Sequence, residues 1–312
     1  MPELRHDALT GRLVLVAAAR GARPHTTSPI TRVADGAAAC AFCPGHEAET
    51  PPEIARLGAG GPGEPGWRVR VFPNLYPIVG GEEAGTGATG AHEVIALSPD
   101  HDRDFGALTH DEAAEVLGML RDRARANVGS GHEYVQVLIN HGRAAGASIA
   151  HPHAQLVALD FIPPAVTVAT ERFADAASDL VLADLADAVD REQGVVVGEE
   201  VAAWCPTGSA SPFEIRIAAR WAGARFDEAT DAHVLGVAVV LRDVLASVAD
   251  VLDHPPYNVV IHGADAPSGA RYHWWVEVTP RTAVVAGFEL GTGVFVNSVD
   301  PEHAAAQLRD AR

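Results

Sequence analysis

The same order of predicted secondary-structure elements occurs twice along the 312-residue chain. Apolar periodicity predicts a strand, a helix and two further strands in each copy. The first copy has a strand over 92–97, a helix that begins with a capping box of Thr109 and Glu112, a strand over 134–139, and a strand through His151. The second copy has elements over 213–218, 227–248, 257–261 and 272–278. A period of about 120 residues predicts two copies of one domain, not a solenoid.

The repeat also predicts where the chain divides. The spacing from Asn140 to His151 recurs from His262 to His273. We therefore expect an N-terminal domain over residues 1–163 and a C-terminal domain over 164–312. A connecting helix is predicted over 171–192, because leucines recur through this stretch and neither glycine nor proline interrupts it.

A His-x-His pair opens the last strand of the first copy. In a strand, the side chains of His151, His153 and Gln155 share one face. Imidazole titrates near neutral pH, and one of its nitrogens can face a reaction while a partner holds the other. His153 is therefore a candidate nucleophile, although such pairs also occur as core residues or metal ligands. The second copy has Trp275 at the matching position and lacks this group.

Composition excludes several functions. A formal net charge of -18 argues against a broad nucleic-acid or membrane surface. All 23 basic residues are arginine, which excludes a Schiff-base or P-loop lysine. The chain has no 18-residue apolar run, no apolar segment at its start, and only three cysteines. These features predict a soluble, globular protein without a disulfide scaffold, in the cytoplasm.

Three further segments contain candidate binding groups. Cys40 and Cys43 form a CxxC pair that suits a structural Zn²⁺ with two more ligands, or a redox pair. Arg20 and Arg23 provide two guanidiniums at a spacing that suits a pyrophosphate, although they also fit an ordinary solvated surface. Asn74 lies in a segment with a proline on either side, which is typical of a turn.

Together these motifs resemble the galactose-1-phosphate uridylyltransferase branch of the histidine-triad superfamily, including its ADP-glucose phosphorylase members. The likeness runs from Arg5 to the C-terminus, with separate motifs in the family's order. These are the CxxC pair, Ser98-Pro99-Asp100-His101, the loop from Asn140 to Ser148, and the segment from His151 to Gln155. The resemblance implies an α+β fold of two tandem domains, each an antiparallel sheet with packed helices.

The resemblance also implies a role for each site residue. One structural Zn²⁺ would be bound by Cys40, Cys43, His101 and His151. Substrate would be bound by Arg20, Arg23, Asn74, Asn140 and Gly146, and by the Gly287, Phe288 and Glu289 segment on the sugar-phosphate side, which from its residues alone is a turn between strands. Ser148 and Gln155 would hold phosphoryl oxygens beside His153. Many members carry a second metal in the other half; Cys205 is solitary and Trp275 replaces a histidine, so no second metal site is expected.

The implied reaction is a two-step transfer. His153 would attack the α-phosphorus of a nucleotide sugar and release a sugar phosphate, and an acceptor phosphate would then take the nucleotide. The first expectation is a uridylyltransferase acting on UDP-glucose and a hexose 1-phosphate. The alternative is a phosphorylase of ADP-glucose or another nucleotide sugar that uses inorganic phosphate. The lysine of galactose-specific members is missing, and a homodimer is expected because the family often dimerises.

Two other functions compete with transfer. A nucleotide hydrolase of the same superfamily would have a third histidine where this chain has Gln155, because a protonated imidazole assists the leaving group. A non-catalytic zinc-bound binding module would keep the metal ligands but would have no need of His153 or Gln155. Both residues are present, which favours transfer.

Overall fold

The strands of the structure form one large sheet and one small sheet. The structure is a computed structural model that describes residues 3–18, 40–80, 89–221, 223–266 and 271–312. The strands of the large sheet are β3 (Ala55–Gly58), β4 (Trp67–Pro73), β5 (Gly90–Ala96), β6 (Tyr134–His141), β7 (His153–Leu159), β8 (Gly194–Val197), β9 (Val201–Trp204), β10 (Ile215–Ala219), β11 (Tyr257–His262) and β12 (Trp275–Pro280). The small sheet contains β1 (Glu3–His6), β2 (Leu13–Val16) and β13 (Val294–Asn297).

The order of strands in the large sheet reflects the sequence repeat. The order is β3-β4-β5-β7-β6-β11-β12-β10-β9-β8, with antiparallel neighbours throughout. Strands β6 and β11 pair at the centre, where Ile139 lies opposite Val259. Four further strands follow on each side of this central pair in corresponding order, so each half has five strands. The predicted α+β class with antiparallel sheets is confirmed, while the limits of the two domains stay a prediction.

Six α-helices accompany the sheets in the described residues. They are α1 (His110–Gly129), α2 (Pro164–Asp175), α3 (Leu180–Asp190), α4 (Asp231–Leu252), α5 (Gly287–Thr292) and α6 (Pro301–Asp310). Helix α1 begins with the predicted capping box of Thr109 and Glu112. Helix α4 begins at Asp231, four residues later than predicted, because residues 226–228 form a 3-10 turn before the Thr230 cap. No helix among these residues is long and apolar enough to cross a membrane.

The two faces of the large sheet have different coverings. Helices α1 and α4 pack against one face and bury the main apolar core. On the other face of the second half, Leu9 and Phe173 cover Trp204 and Trp275. Arg216 on this face is fully buried and forms ion pairs with Asp7 and Asp184 at 2.7 and 2.8 Å. The N-terminal hairpin of β1 and β2 therefore packs against the second half of the sheet.

The structure corrects several predicted elements. The single helix predicted over 171–192 is wrong, because α2 and α3 are separated at 176–179. Asp179 interrupts the predicted helix. Its carboxylate accepts hydrogen bonds from the amides of Val181 and Leu182, and it also contacts His273. The predicted glycine-rich turn at 287–293 is instead helix α5, and the strand predicted over 272–278 starts only at Trp275.

The strand that contains the nucleophile candidate also starts later than predicted. Strand β7 begins at His153, so His151 lies before the strand and only His153 and Gln155 share its face. Pro152 has no N–H for the ladder, and its carbonyl accepts a hydrogen bond from the Leu97 amide at 3.2 Å. This hydrogen bond continues the pairing of β5 with β7 by one residue beyond Ala96 and His153.

Candidate functional site

Four predicted ligands form one cluster at the end of the first half-sheet. The ligand atoms of Cys40, Cys43, His101 and His151 all lie within 4.8 Å of one another. The Cys43 sulfur lies 3.4 Å from Nδ1 of His101 and 3.5 Å from Nδ1 of His151. Tetrahedral Zn²⁺ with thiolate and imidazole ligands requires N···S separations of about 3.5 Å. The cluster therefore has the composition and spacing of a four-ligand metal centre.

The surroundings of the cluster fix the form of its ligands. Nε2 of His151 donates a hydrogen bond to the Ser98 carbonyl at 2.8 Å, so Nδ1 carries the lone pair that a metal needs. Burial lowers the pKa of His151 to about 4, which keeps the ring neutral. Burial and the neighbouring Cys40 sulfur raise the pKa of Cys43 to about 11. The Cys43 thiol therefore requires a nearby cation to become a thiolate at neutral pH, so the donor set fits a divalent metal.

His153 lies beside the metal cluster with one nitrogen already assigned. Its Nδ1 lies 2.9 Å from the His151 carbonyl oxygen, which can only accept a hydrogen bond. Nδ1 therefore carries the proton, and Nε2 carries a free lone pair. The Phe42 ring packs edge-on against His153, with centroids 5.4 Å apart. The loop that carries the two cysteines thus also orients the nucleophile candidate.

Gln155 has a partner that the sequence analysis did not identify. Its Oε1 lies 2.9 Å from Nε2 of His92, a buried residue on β5. The same imidazole nitrogen lies 3.2 Å from Nδ2 of Asn74, and Nδ1 accepts a hydrogen bond from the Ile78 amide at 3.3 Å. The predicted substrate-binding residue Asn74 and the predicted catalytic amide of Gln155 therefore meet at one ring.

The loop between β6 and His151 is anchored from the second half. Asn140 Oδ1 accepts a hydrogen bond from Asn258 Nδ2 at 2.7 Å, and the same nitrogen donates to the Ala145 carbonyl at 2.8 Å. Gly146 has φ +92, a left-handed conformation that favours glycine. Ser148 is exposed on this loop, two residues after Gly146. The sheet register places Asn140 next to the residue opposite Ala154, and hence near His153.

Other predicted residues are not brought to His153 by the described contacts. Arg20 and Arg23 lie outside the described residues. Gly287, Phe288 and Glu289 form the first turn of α5, and the Phe288 side chain is half exposed. No hydrogen bond of the described residues joins this helix to His153 or Gln155. Their role as substrate-binding residues therefore stays a prediction.

The second half retains the arrangement of the histidine before the strand without its metal ligands. Nε2 of His273 contacts the Ala219 carbonyl at 2.7 Å, as Nε2 of His151 contacts Ser98. Nδ1 of His273 contacts the Asp179 carboxylate at 2.8 Å, where His151 faces a sulfur. Trp275 occupies the position of His153 and stacks on His262, with centroids 4.6 Å apart. A carboxylate and an aromatic stack thus replace the cysteine sulfur and the nucleophile candidate.

Sequence reasoning missed Phe42 and His92. Phe42 is the residue between the two cysteines, and an apolar residue there gives no sign that it touches a ring more than 100 positions later. His92 starts the predicted strand over 92–97, where a lone histidine is usually an ordinary polar residue. Its alternation with Val94, which lies opposite Gln155, was the available signal.

Comparisons with known proteins agree with this architecture. A family model described as "Domain of unknown function (DUF4921)" matches residues 96–311. The chain is 30% identical to the ADP-glucose phosphorylase of Arabidopsis thaliana over 331 residues, covering 99% of this chain and 93% of that protein. It is 26% identical to the galactose-1-phosphate uridylyltransferase of Thermotoga maritima over 337 residues, covering 99% and 98%. The crystal structure of the Arabidopsis thaliana ADP-glucose phosphorylase with bound ADP-glucose superposes with a TM-score of 0.86 at 29% identity, covering 99% of each chain.

The similarity extends over nearly the whole length of this chain and of these relatives, so it includes both halves of the sheet. The motifs that carried the resemblance in the sequence lie within it. The chain belongs to the galactose-1-phosphate uridylyltransferase and ADP-glucose phosphorylase branch of the histidine-triad superfamily, and it is a nucleotidyltransferase of that branch.

Proposed function

We propose that the protein transfers a nucleoside monophosphate group from a nucleotide sugar to inorganic phosphate, through a nucleotidyl intermediate on His153. The observation that carries this proposal is the hydrogen bond from His153 Nδ1 to the His151 carbonyl at 2.9 Å. It leaves Nε2 as a neutral, basic nitrogen, which is the form that attacks phosphorus. Burial lowers the pKa of His153 and supports the same form.

In the first step, the Nε2 lone pair attacks the α-phosphorus. The new bond is P–N, and the broken bond joins the α-phosphorus to the bridging oxygen, which leaves with the sugar phosphate. The imidazole becomes cationic while Nδ1 keeps its proton, which it donates in the hydrogen bond to the His151 carbonyl. The Gln155 amide and Ser148 would hold the equatorial phosphoryl oxygens, where positioning and electrostatic stabilisation supply most of the catalysis.

In the second step, an oxygen of the acceptor phosphate attacks the same phosphorus and the P–N bond breaks. With inorganic phosphate as acceptor, ADP-glucose would give ADP and glucose 1-phosphate. The His153 ring returns to its neutral form with Nδ1 still protonated. Gln155 is a neutral amide without an acidic proton, so it favours a phosphate acceptor over assisted hydrolysis.

Two observations favour inorganic phosphate as the acceptor. The Arabidopsis thaliana ADP-glucose phosphorylase is the more identical of the two relatives, and its structure with ADP-glucose matches this chain along its whole length. The chain also contains no lysine, whereas galactose-specific members use one near the sugar phosphate. Transfer to a hexose 1-phosphate is the second candidate, supported by the full-length match to the Thermotoga maritima uridylyltransferase.

The metal that we propose for the four-ligand cluster is one structural Zn²⁺ per chain. Cys40, Cys43, His101 and His151 would fill all four positions, which leaves none for substrate. The ion would hold the cysteine loop, and with it Phe42, against His153. We also propose that Arg20 and Arg23 bind the substrate phosphates and that residues 287–289 line the sugar-phosphate side. The protein would form a homodimer in the cytoplasm.

A panel of donors and acceptors tests the proposed reaction. The purified protein is incubated with ADP-glucose or UDP-glucose, each with inorganic phosphate, a hexose 1-phosphate or buffer alone, and the products are followed by ³¹P NMR. We expect ADP and glucose 1-phosphate from ADP-glucose and inorganic phosphate. Release of a nucleoside monophosphate in buffer alone at the same rate would contradict transfer, and conversion only with a hexose 1-phosphate would favour the second candidate.

Replacing Gln155 by histidine tests why the enzyme transfers. A protonated imidazole in this position can assist departure of the leaving group, so water becomes a competent acceptor. We expect Gln155→His to raise the ratio of hydrolysis to transfer by at least about tenfold. The ratio is measured as monophosphate over diphosphate formed at fixed phosphate concentration, with Gln136→His, a change elsewhere on the sheet, as the control. An unchanged ratio would show that the amide does not govern the choice of acceptor.

A further inference from the structure

The His92 imidazole is a buried ring with contacts on both of its nitrogens. It lies on β5, one strand away from His153, and is 7% exposed. Nδ1 accepts a hydrogen bond from the Ile78 amide at 3.3 Å, and Nε2 lies 2.9 Å from Oε1 of Gln155. The ring therefore lies between the 74–78 segment and the amide next to the nucleophile.

The backbone amide of Ile78 determines the tautomer of the His92 ring. A backbone amide only donates, so Nδ1 must carry the lone pair and Nε2 the proton. The Nε2–H group then donates a hydrogen bond to Oε1 of Gln155. The opposite tautomer would satisfy only the contact with Asn74 and would require Gln155 to rotate. Burial lowers the pKa of His92, which favours the neutral ring that this arrangement needs.

This hydrogen bond determines which end of Gln155 faces the substrate. Because Oε1 is held by His92, the amide NH₂ group is the end that remains for a ligand. Phosphoryl oxygens accept hydrogen bonds, so only the NH₂ end can stabilise them. We propose that His92 is a positioning residue that presents the Gln155 NH₂ group to the phosphoryl group; this rests on the nucleotidyl transfer proposed above.

The same ring fixes the segment next to it. The Asn74 amide donates to the His92 carbonyl at 2.8 Å, and Asn74 Oδ1 accepts from the Tyr76 amide at 2.9 Å. Because Nε2 is protonated, it cannot accept a hydrogen bond from the side-chain amide of Asn74. The Asn74 NH₂ group therefore stays available to a ligand. Leu75 and Tyr76 next to Asn74 are exposed apolar side chains. His92 thus joins a surface that suits a nucleoside to the amide that suits its phosphate.

The half of the protein without a nucleophile supports this role. Val94 lies opposite Gln155 in the first half, and Arg216 lies opposite Glu277 in the second. Val94 and Arg216 therefore occupy matching positions in the two halves. Two residues earlier along the chain in each half, Glu214 matches His92. The imidazole–amide pair is therefore present in the half with His153, and two carboxylates replace it in the half with Trp275. If the pair served only packing, there would be no reason for it to occur in the half with His153 and not in the other half.

Variants of His92 and Gln155 test the proposal through the first step of the reaction. The measurement is the burst of glucose 1-phosphate released from ADP-glucose in a single turnover without acceptor. We expect His92→Leu to slow the burst by about 10- to 100-fold, because misplaced catalytic groups cost this much. His92→Gln, whose amide offers a donor at similar reach, should keep most of the rate, and zinc content should not change in either variant.

A double-mutant cycle separates positioning from a structural role. If His92 acts through Gln155, His92→Leu should have no further effect in a Gln155→Ala background. Independent, multiplying effects of the two changes would overturn the proposal. A wild-type protein that releases no sugar phosphate from any nucleotide sugar would instead contradict the proposed function.

The ring tautomer provides a readout that needs no activity. In ¹⁵N-histidine-labelled protein, the two-bond ¹⁵N–¹H spectrum distinguishes the tautomers, and the signals lost in His92→Gln identify the ring. We expect His92 with Nε2 protonated and Nδ1 bare at neutral pH, and His153 with the opposite tautomer. A His92 ring protonated on Nδ1 would refute the positioning role even if the enzyme transfers nucleotides as proposed.

Discussion

Replacing His153 by glycine is expected to abolish nucleotidyl transfer, lowering the rate by at least about 10⁴-fold, because no other group replaces a lost nucleophile. His151 cannot substitute, since its Nδ1 faces the cysteine sulfur and its Nε2 donates to Ser98. Added imidazole should restore part of the activity by occupying the space vacated beside Phe42. The rate of ADP and glucose 1-phosphate formation, measured with and without imidazole, checks both expectations.

The matched control for this change is His254→Gly. His254 is exposed after α4 and has φ +53, so glycine adopts its conformation without strain. This variant should keep wild-type activity and gain nothing from imidazole. Both variants should keep their zinc, because neither residue is in the metal cluster. Near-normal activity of His153→Gly would remove the residue from the mechanism.

Loss of the metal centre is expected to have the second large effect. Cys43→Ser should reduce the zinc content from about one ion per chain to a small fraction, because Cys43 lies between both histidine ligands. The three remaining ligands without their ion leave unpaired polar groups, so the free energy of unfolding should fall by more than about 4 kcal/mol. Activity should fall with it, because the cysteine loop also places Phe42 against His153.

The third cysteine provides the control for the metal centre. Cys205 is buried in the main apolar core and outside the cluster, so Cys205→Ser should keep one zinc ion. Metal analysis and denaturant unfolding of the two serine variants are compared side by side. A Cys43→Ser protein with unchanged zinc and unchanged unfolding would contradict the assignment of the cluster.

Sequence periodicity predicted much of the fold because the local signals agreed with the tertiary structure. The Thr109 capping box satisfies helix-end amides wherever the helix packs, so α1 begins where it was predicted. The predicted helix over 171–192 failed because its break depends on Asp179, which contacts His273 almost a hundred residues later. The helix propensities of residues 171–192 carry no information about that contact.

The candidate site was likewise predicted from the sequence in part, and the rest depends on tertiary contacts. The CxxC pair and His153 came from short motifs, while the resemblance to the family implied His101 and His151 as the other two ligands, and the structure brings the four groups together. The contact of Phe42 with His153 joins the cysteine loop to β7, and the contact of His92 with Gln155 depends on the register of β5 and β7.

The most direct test of the central claim is to trap the covalent intermediate. The protein is mixed with ADP-glucose labelled in the α-phosphate, quenched without acceptor, digested and mapped by mass spectrometry. We predict one adenylyl group on His153, stable to base and labile to acid as a P–N bond requires, and its loss when inorganic phosphate is added before quenching. Label on any other residue, or ADP formation by a wild-type enzyme that never becomes labelled, would contradict the account.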